Sequence, residues 1–156
     1  MRILCAIGLR GGADLVRRAL AVVSNSSPEL VLVHVIDEGP RHELEHAHGP
    51  LHHGPRSHPE RWHSVDVAET AAGEEALEEA RAAADAAGVA VTTQLERGNP
   101  EHAIVALAEE REAGLIVIRA REHPELRPPR GPKSVGHTAR FVVDHASCDV
   151  LLLRTD

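Results

Sequence analysis

The sequence predicts an α/β fold, a doubly wound parallel sheet of five strands with helices on both faces. Two observations predict it. Short apolar runs without polar alternation recur along the chain, as in strands buried on both sides. Amphipathic segments of helical period separate those runs, which gives a β-α-β-α-β-α-β-α-β order, and right-handed crossovers wind such an order into one parallel sheet.

Taken in order, Ile3-Leu4-Cys5-Ala6-Ile7 is the first run, closed by Gly8 and too short for a helix. Leu15, Ala19 and Val22 then repeat at helical spacing. The second run is Leu30 to Ile36. A long helix is predicted over Val67 to Ala87, with Ala71, Ala80, Ala84 and Ala87 on one face and glutamates on the other. Val89 to Thr93 alternates more, as an edge strand does. Asn99-Pro100 opens the next helix as an N-cap followed by proline at the first helical position. Gly88 and Gly114 are predicted left-handed C-caps, each followed at once by a strand. Leu115 to Ile118, a helix carrying Val135, Ala139, Val142 and Ala146, and Val150 to Leu153 complete the series.

The composition narrows the function. A chain of 156 residues with 42 % hydrophobic content suits one domain, 1–156, with a real core. Only Trp62 and Phe141 are aromatic, too few for a base-stacking platform. The net charge of −7 is the wrong sign for general nucleic-acid binding. No apolar run approaches the roughly 20 residues of a membrane span. The first residues do not read as a signal peptide. No nucleic-acid or membrane partner and a cytoplasmic location are the expectation.

Residues 38–65 stand apart as an insertion without helical or strand period, punctuated by Gly39-Pro40, Gly49-Pro50, Gly54-Pro55 and His58-Pro59. A connection of that length is functional or disordered in most compact domains. It holds seven of the chain's 12 histidines. His42, His46, His48, His52 and His53 are candidate ligands for a divalent metal, zinc or nickel, since imidazole suits both. Their spacing matches no compact metal motif, so the same residues also read as a polar loop that gains charge on mild acidification.

The chain resembles the universal stress protein family along nearly its whole length. The resemblance rests on Ile3-Leu4-Cys5-Ala6-Ile7 as first strand and Val33-His34-Val35 late in the second. Gly98-Asn99-Pro100 before the third helix adds to it, as does the stretch from Val135-Gly136-His137-Thr138 to His145-Ala146-Ser147-Cys148-Asp149-Val150-Leu151-Leu152-Leu153-Arg154. It implies strand order 3-2-1-4-5, a fold of the adenine-nucleotide alpha hydrolase and Rossmann-like kind, and a homodimer joined through the last strand, residues 148–154. Members that bind ATP carry an aspartate where this chain has Gly8, with a small hydroxyl residue two positions later, where Arg10 stands. They also carry Gly-x-x-Gly after the fourth strand, where Arg119-Ala120-Arg121-Glu122 stands, and a hydroxyl residue where His137 follows Gly136. Bare glycine lets backbone N–H groups approach phosphate closely, and side chains there obstruct that approach. ATP or AMP binding is therefore open to this chain by family and disfavoured by its residues.

The candidate ligand-binding residues are Gly8, Arg10, Val35, Arg119, Arg121, Gly136, His137 and Thr138. They fall at carboxyl ends of strands and at the last helix's start, where open α/β sheets hold ligands. In that reading guanidinium forks substitute for backbone N–H groups toward a small anion; the alternative is a solvated, proline-stiffened loop over 119–133. Cys5 and Cys148, two strands apart in the implied order, lie beyond disulfide reach and are expected reduced, buried and inert. No nucleophile–base pair is evident, so no catalytic residue is assigned. The sequence thus points to a non-enzymatic stress-response or signalling module, with a ligand-responsive binding protein (anion pocket or histidine loop) as the alternative.

Overall fold

The computed structural model describes residues 1–23, 27–39, 59–120 and 135–154, with side chains from residue 63 onward in the helix that opens at 59. The elements are β1 (Arg2–Ala6), α1 (Gly12–Val22), β2 (Glu29–Asp37), α2 (Pro59–Ala86), β3 (Ala90–Gly98), α3 (Pro100–Glu110), β4 (Leu115–Arg119), α4 (His137–His145) and β5 (Asp149–Leu153). All strand pairs are parallel, and the sheet runs β3-β2-β1-β4-β5. The strands with the purest apolar runs occupy the middle. Ile3, Leu4, Cys5, Leu30, Leu32, Ile116 and Val117 lose all contact with solvent.

Side chains leaving opposite faces of those strands build two cores. On one face Ile3, Ile7, Leu30 and Leu32 pack under α1 and α2. On the other Leu4, Val31, Val33 and Ile116 pack under α3 and α4. The alanine face of α2 lets it lie close: Ala80 sits so near Gly12 that a Cβ there would be 3.1 Å from the Ala80 methyl. Close approach compensates for the small area each methyl buries.

Three boundaries differ from the sequence expectation. Helix α2 starts at Pro59, eight residues before Val67, so the end of the expected aperiodic insertion is helical. Proline at a first helical position is pre-set for the turn, while the residues that follow carry only Trp62 and Val65 as apolar side chains before Val67, too few to reveal a period. Arg97 of β3 bonds this helix: its Nη1 donates to Asp66 Oδ1 at 2.7 Å and its Nη2 to Thr70 Oγ1 at 2.7 Å. Strand β3 runs on to Gly98 through Gln94, Glu96 and Arg97, side chains an edge strand can expose. Helix α3 ends at Glu110, and the left-handed residue is Glu112 (φ 52°), not Gly114. Gly114 is a close approach instead, since a Cβ there would lie 3.3 Å from Met1 Cγ. Gly88, with φ 69°, is left-handed as expected.

Both cysteines are free thiols. Burial pushes Cys5 up to about 12. Cys148, just ahead of β5, is only half-buried, which corrects the expectation that both would be enclosed. Burial first and the Asp149 charge second raise its pKa as well.

Candidate functional site

Between β1 and β4 the winding changes direction: the chain leaves β1 through α1 and reaches β4 through α3 on the opposite face. A crevice opens at the carboxyl ends of strands at such a point. The exit of β1 forms one wall. Ile7 N–H donates to Val33 O at 2.8 Å, and the Ile7 carbonyl accepts from His34 Nδ1 at 2.8 Å. Gly8 then turns the chain, and a Cβ there would meet nothing within 4 Å. Arg10 is exposed and has no hydrogen-bond or ion-pair partner among the described residues. Val35, late in β2, is half-buried on the α3–α4 side of the sheet.

Arg119 ends β4 and reaches across to the start of α1. Its Nη2 donates to Gly11 O at 2.9 Å and to Asp14 Oδ2 at 3.0 Å. The guanidinium lies so close over Gly11 that a Cβ there would come within 2.5 Å of Nη1. Part of its donor set is thus already used inside the protein. Arg121, like His42, His46, His48, His52 and His53, lies outside the described residues.

The start of α4 forms the other wall. Gly136 is the N-cap, with φ 92°, and as glycine it has no side chain of its own to cap the helix. His137 follows, and its Nε2 lies 3.1 Å from Glu101 Oε1; Thr138 is half-buried beside it. Glu101 is the buried anion of this region, 8 % exposed. Burial drives its pKa up, but the Asn99 amide (3.0 Å), its own backbone N–H and His137 outweigh that and hold the carboxyl below its ordinary value. Asn99 acts twice, because its Oδ1 also accepts from His102 N–H at 3.1 Å. Further along α4, Phe141 meets His102 edge-on at 4.6 Å and stacks on His145 at 3.9 Å. His145 is exposed and donates from Nδ1 to Phe141 O at 2.9 Å.

Gly8, Arg10, Val35, Arg119, Gly136, His137 and Thr138 thus share one end of the sheet. Arg119 faces α1 and His137 faces α3. Among the described residues no group of three or more His, Cys, Asp or Glu side chains is set to hold a metal. No described helix is long and apolar enough to cross a membrane. Sequence reasoning did not find Glu101, Asp14 or Gly73. The first two had a signal, an acid in the first turn of a helix where the dipole favours it. Gly73, inside a helix, had one too, because glycine there is unfavourable unless space requires it.

Comparison with known proteins agrees with this architecture. The sequence profile of the Universal stress protein family matches residues 1–154. The curated relative Universal stress protein E of Salmonella typhi is 36 % identical over 64 residues, 41 % of this chain; the match spans about a fifth (19 %) of that relative's length. The structure of universal stress protein UspA from Lactobacillus plantarum is similar at TM-score 0.72 and 25 % identity, covering 99 % of this chain and 97 % of that one. The universal stress protein from Archaeoglobus fulgidus in complex with dAMP is similar at TM-score 0.64 and 20 % identity, covering 97 % of this chain and 96 % of that one. With the profile spanning residues 1–154 and the sheet in order β3-β2-β1-β4-β5, the chain belongs to the universal stress protein family.

Proposed function

We propose that this protein is a single-domain, homodimeric stress-response or signalling module that works in the cytoplasm without catalysis and without the standard grip on ATP. One observation carries the reading. At Gly8, the position of the binders' aspartate, the chain offers no side-chain acceptor and a Cβ would meet nothing within 4 Å among the described residues, while Arg119, which follows the fourth strand where binders carry Gly-x-x-Gly, spends its guanidinium on Gly11 and Asp14. A cleft built this way loses a ribose-side acceptor and has a bulky side chain where bare backbone would meet phosphate. Dimerisation through residues 148–154 is supported by the apolar, half-exposed character of β5 at the sheet edge.

A second reading has its own support. Arg10 is an exposed cation beside Gly8 with no hydrogen-bond or ion-pair partner among the described residues, and the Archaeoglobus fulgidus relative is in complex with dAMP. A nucleoside monophosphate, or a small anion like it, fits that chemistry better than a triphosphate. Calorimetry on tag-free protein with ATP, AMP and zinc separates the readings. The proposal expects no saturable heat with ATP, and a one-to-one ATP isotherm overturns it. Saturation by AMP alone favours the monophosphate cleft. Saturation by zinc with silence for both nucleotides favours the histidine segment that includes His42, His46, His48, His52 and His53.

A further inference from the structure

We propose that His34 is a positioning residue for the crevice: its ring fixes the exit of β1, and Gly73 of α2 is there to admit that ring. The inference rests on the reading of the β1–β4 crevice as the ligand site. His34 is 8 % exposed, one of two buried polar side chains among the described residues. Its Nδ1 donates to the Ile7 carbonyl at 2.8 Å, a bond across 27 positions of sequence. Ile7 N–H is held at the same time by Val33 O at 2.8 Å. The Ile7 backbone is therefore tied on both its polar groups at the residue before Gly8, where the chain turns into the crevice. The Ile7 N–H bond to Val33 O carries the β1–β2 ladder one residue past Ala6, and the Ile7 carbonyl is taken by a side chain instead. The imidazole takes over where the strand stops.

The far side of the ring shows why a glycine interrupts α2. A Cβ at Gly73 would lie 2.7 Å from His34 Cδ2 and 2.9 Å from Leu95 Cδ1. The leucine tip can rotate away. The imidazole cannot without leaving the Ile7 carbonyl, because that bond fixes its orientation. Glycine inside a helix is unfavourable relative to alanine, and here the lost propensity is the cost of the ring's place. Helix α2, the second strand and the β1–α1 turn thus meet at one side chain.

Three variants test the assignment: His34→Leu, which fills similar space without a donor; His34→Asn, whose Nδ2 stands as far from the backbone as Nδ1; and Gly73→Ala. The readouts are the Gly8 and Leu9 amide NMR signals, their hydrogen exchange, and AMP affinity, all below the melting transition of each variant. For His34→Leu we expect shifted Gly8 and Leu9 signals, with exchange faster and AMP binding weaker by about tenfold, the effect of one lost hydrogen bond. His34→Asn should restore both to within about twofold by the same bond. Gly73→Ala should reproduce the leucine variant's Gly8 shift, and it decides the matter alone if His34→Leu does not fold. Unchanged Gly8 and Leu9 amides in the leucine and alanine variants overturn the proposal, as does an asparagine variant no better than leucine. If the wild type binds no AMP, the amides still decide the role of His34, and only the ligand reading falls.

Discussion

The two edges of the sheet are built from opposite materials. Strand β3 shows Thr92, Thr93 and Arg97 to solvent and ties its polar side chains inward: Arg97 to Asp66 and Thr70, Gln94 to Arg111 and Glu96. Strand β5 carries Val150, Leu151, Leu152 and Leu153, and the first three are only half-buried. An edge dressed in charges and clamped to a helix resists pairing with another chain, whereas an apolar edge with open backbone groups invites it. The difference supports the proposal that β3 is finished within the chain while β5 suits pairing with a partner. The proposed dimer follows from that contrast as much as from family.

The largest expected effect comes from blocking each edge in the same way. In a parallel ladder the N–H and C=O of one residue point to the same side. Leu153 O accepts from Ala120 N, so Leu153 bonds inward and Leu152 points its backbone outward. Gly98 O accepts from Glu38 N, so Thr93 points outward at the other edge. Leu152→Pro and Thr93→Pro therefore each remove an outward donor and leave the internal ladder whole. Leu152→Pro should weaken the proposed dimer on the order of 100-fold, since a two-fold contact loses the bond twice at about 1 kcal/mol or more each. Thr93→Pro should leave the assembly unchanged. Light scattering and sedimentation across concentration read both; equal effects from the two prolines would erase the distinction.

The edges were also unequally legible. Strand β5 and the central strands could be read because their residues are apolar without interruption, the mark of burial on both faces. Strand β3 was traced only to Thr93, since Gln94, Glu96 and Arg97 belong to a strand for reasons of partnership with Val33, Val35 and Ile36 of β2, which no local pattern carries. The start of α2 was missed for a related cause: in residues 59–66 only Trp62 and Val65 are apolar, and the Arg97 that bonds Asp66 lies 31 positions away in sequence. At the candidate site, the placement of Gly8 and Gly136 at strand and helix ends followed from the sequence. The destination of Arg119 did not, because a guanidinium's choice between ligand, solvent and Asp14 is made by tertiary geometry.

Acid should act on the β3 side and spare β5. Glu101 follows β3 through Gly98 and Asn99, and its folded-state pKa lies below the ordinary 4.5. A depressed carboxyl contributes stability above the unfolded value and loses it as pH falls through the folded one. Glu101→Gln should therefore be less stable than the wild type near neutrality, and the gap in melting temperature should close as pH drops below 4.5. Oligomeric state should not follow that change, since no part of β5 contacts Glu101 in its hydrogen bonding. A gap that stays constant down to strongly acidic pH would mean the charge of Glu101 contributes nothing.

The smallest effect belongs to the clamp on β3. Arg97 bonds Asp66 at 2.7 Å and Thr70 at 2.7 Å, an arrangement that looks strong on distance alone. Yet the arginine and aspartate side chains are 36 % and 38 % exposed, so water screens the pair. Exposed ion pairs are worth roughly 0.2–1 kcal/mol, and the fork geometry with a hydroxyl places this one near the upper end. Arg97→Ala should thus lower global stability by about 1 kcal/mol or less. Its consequence should be local: faster amide exchange in the early turns of α2, because Asp66 and Thr70 are where Arg97 ties β3 to that helix. Such loosening without any gain in self-association would show that charge on β3 anchors a helix, and that bare apolar backbone, which β3 lacks, is what makes an edge adhesive.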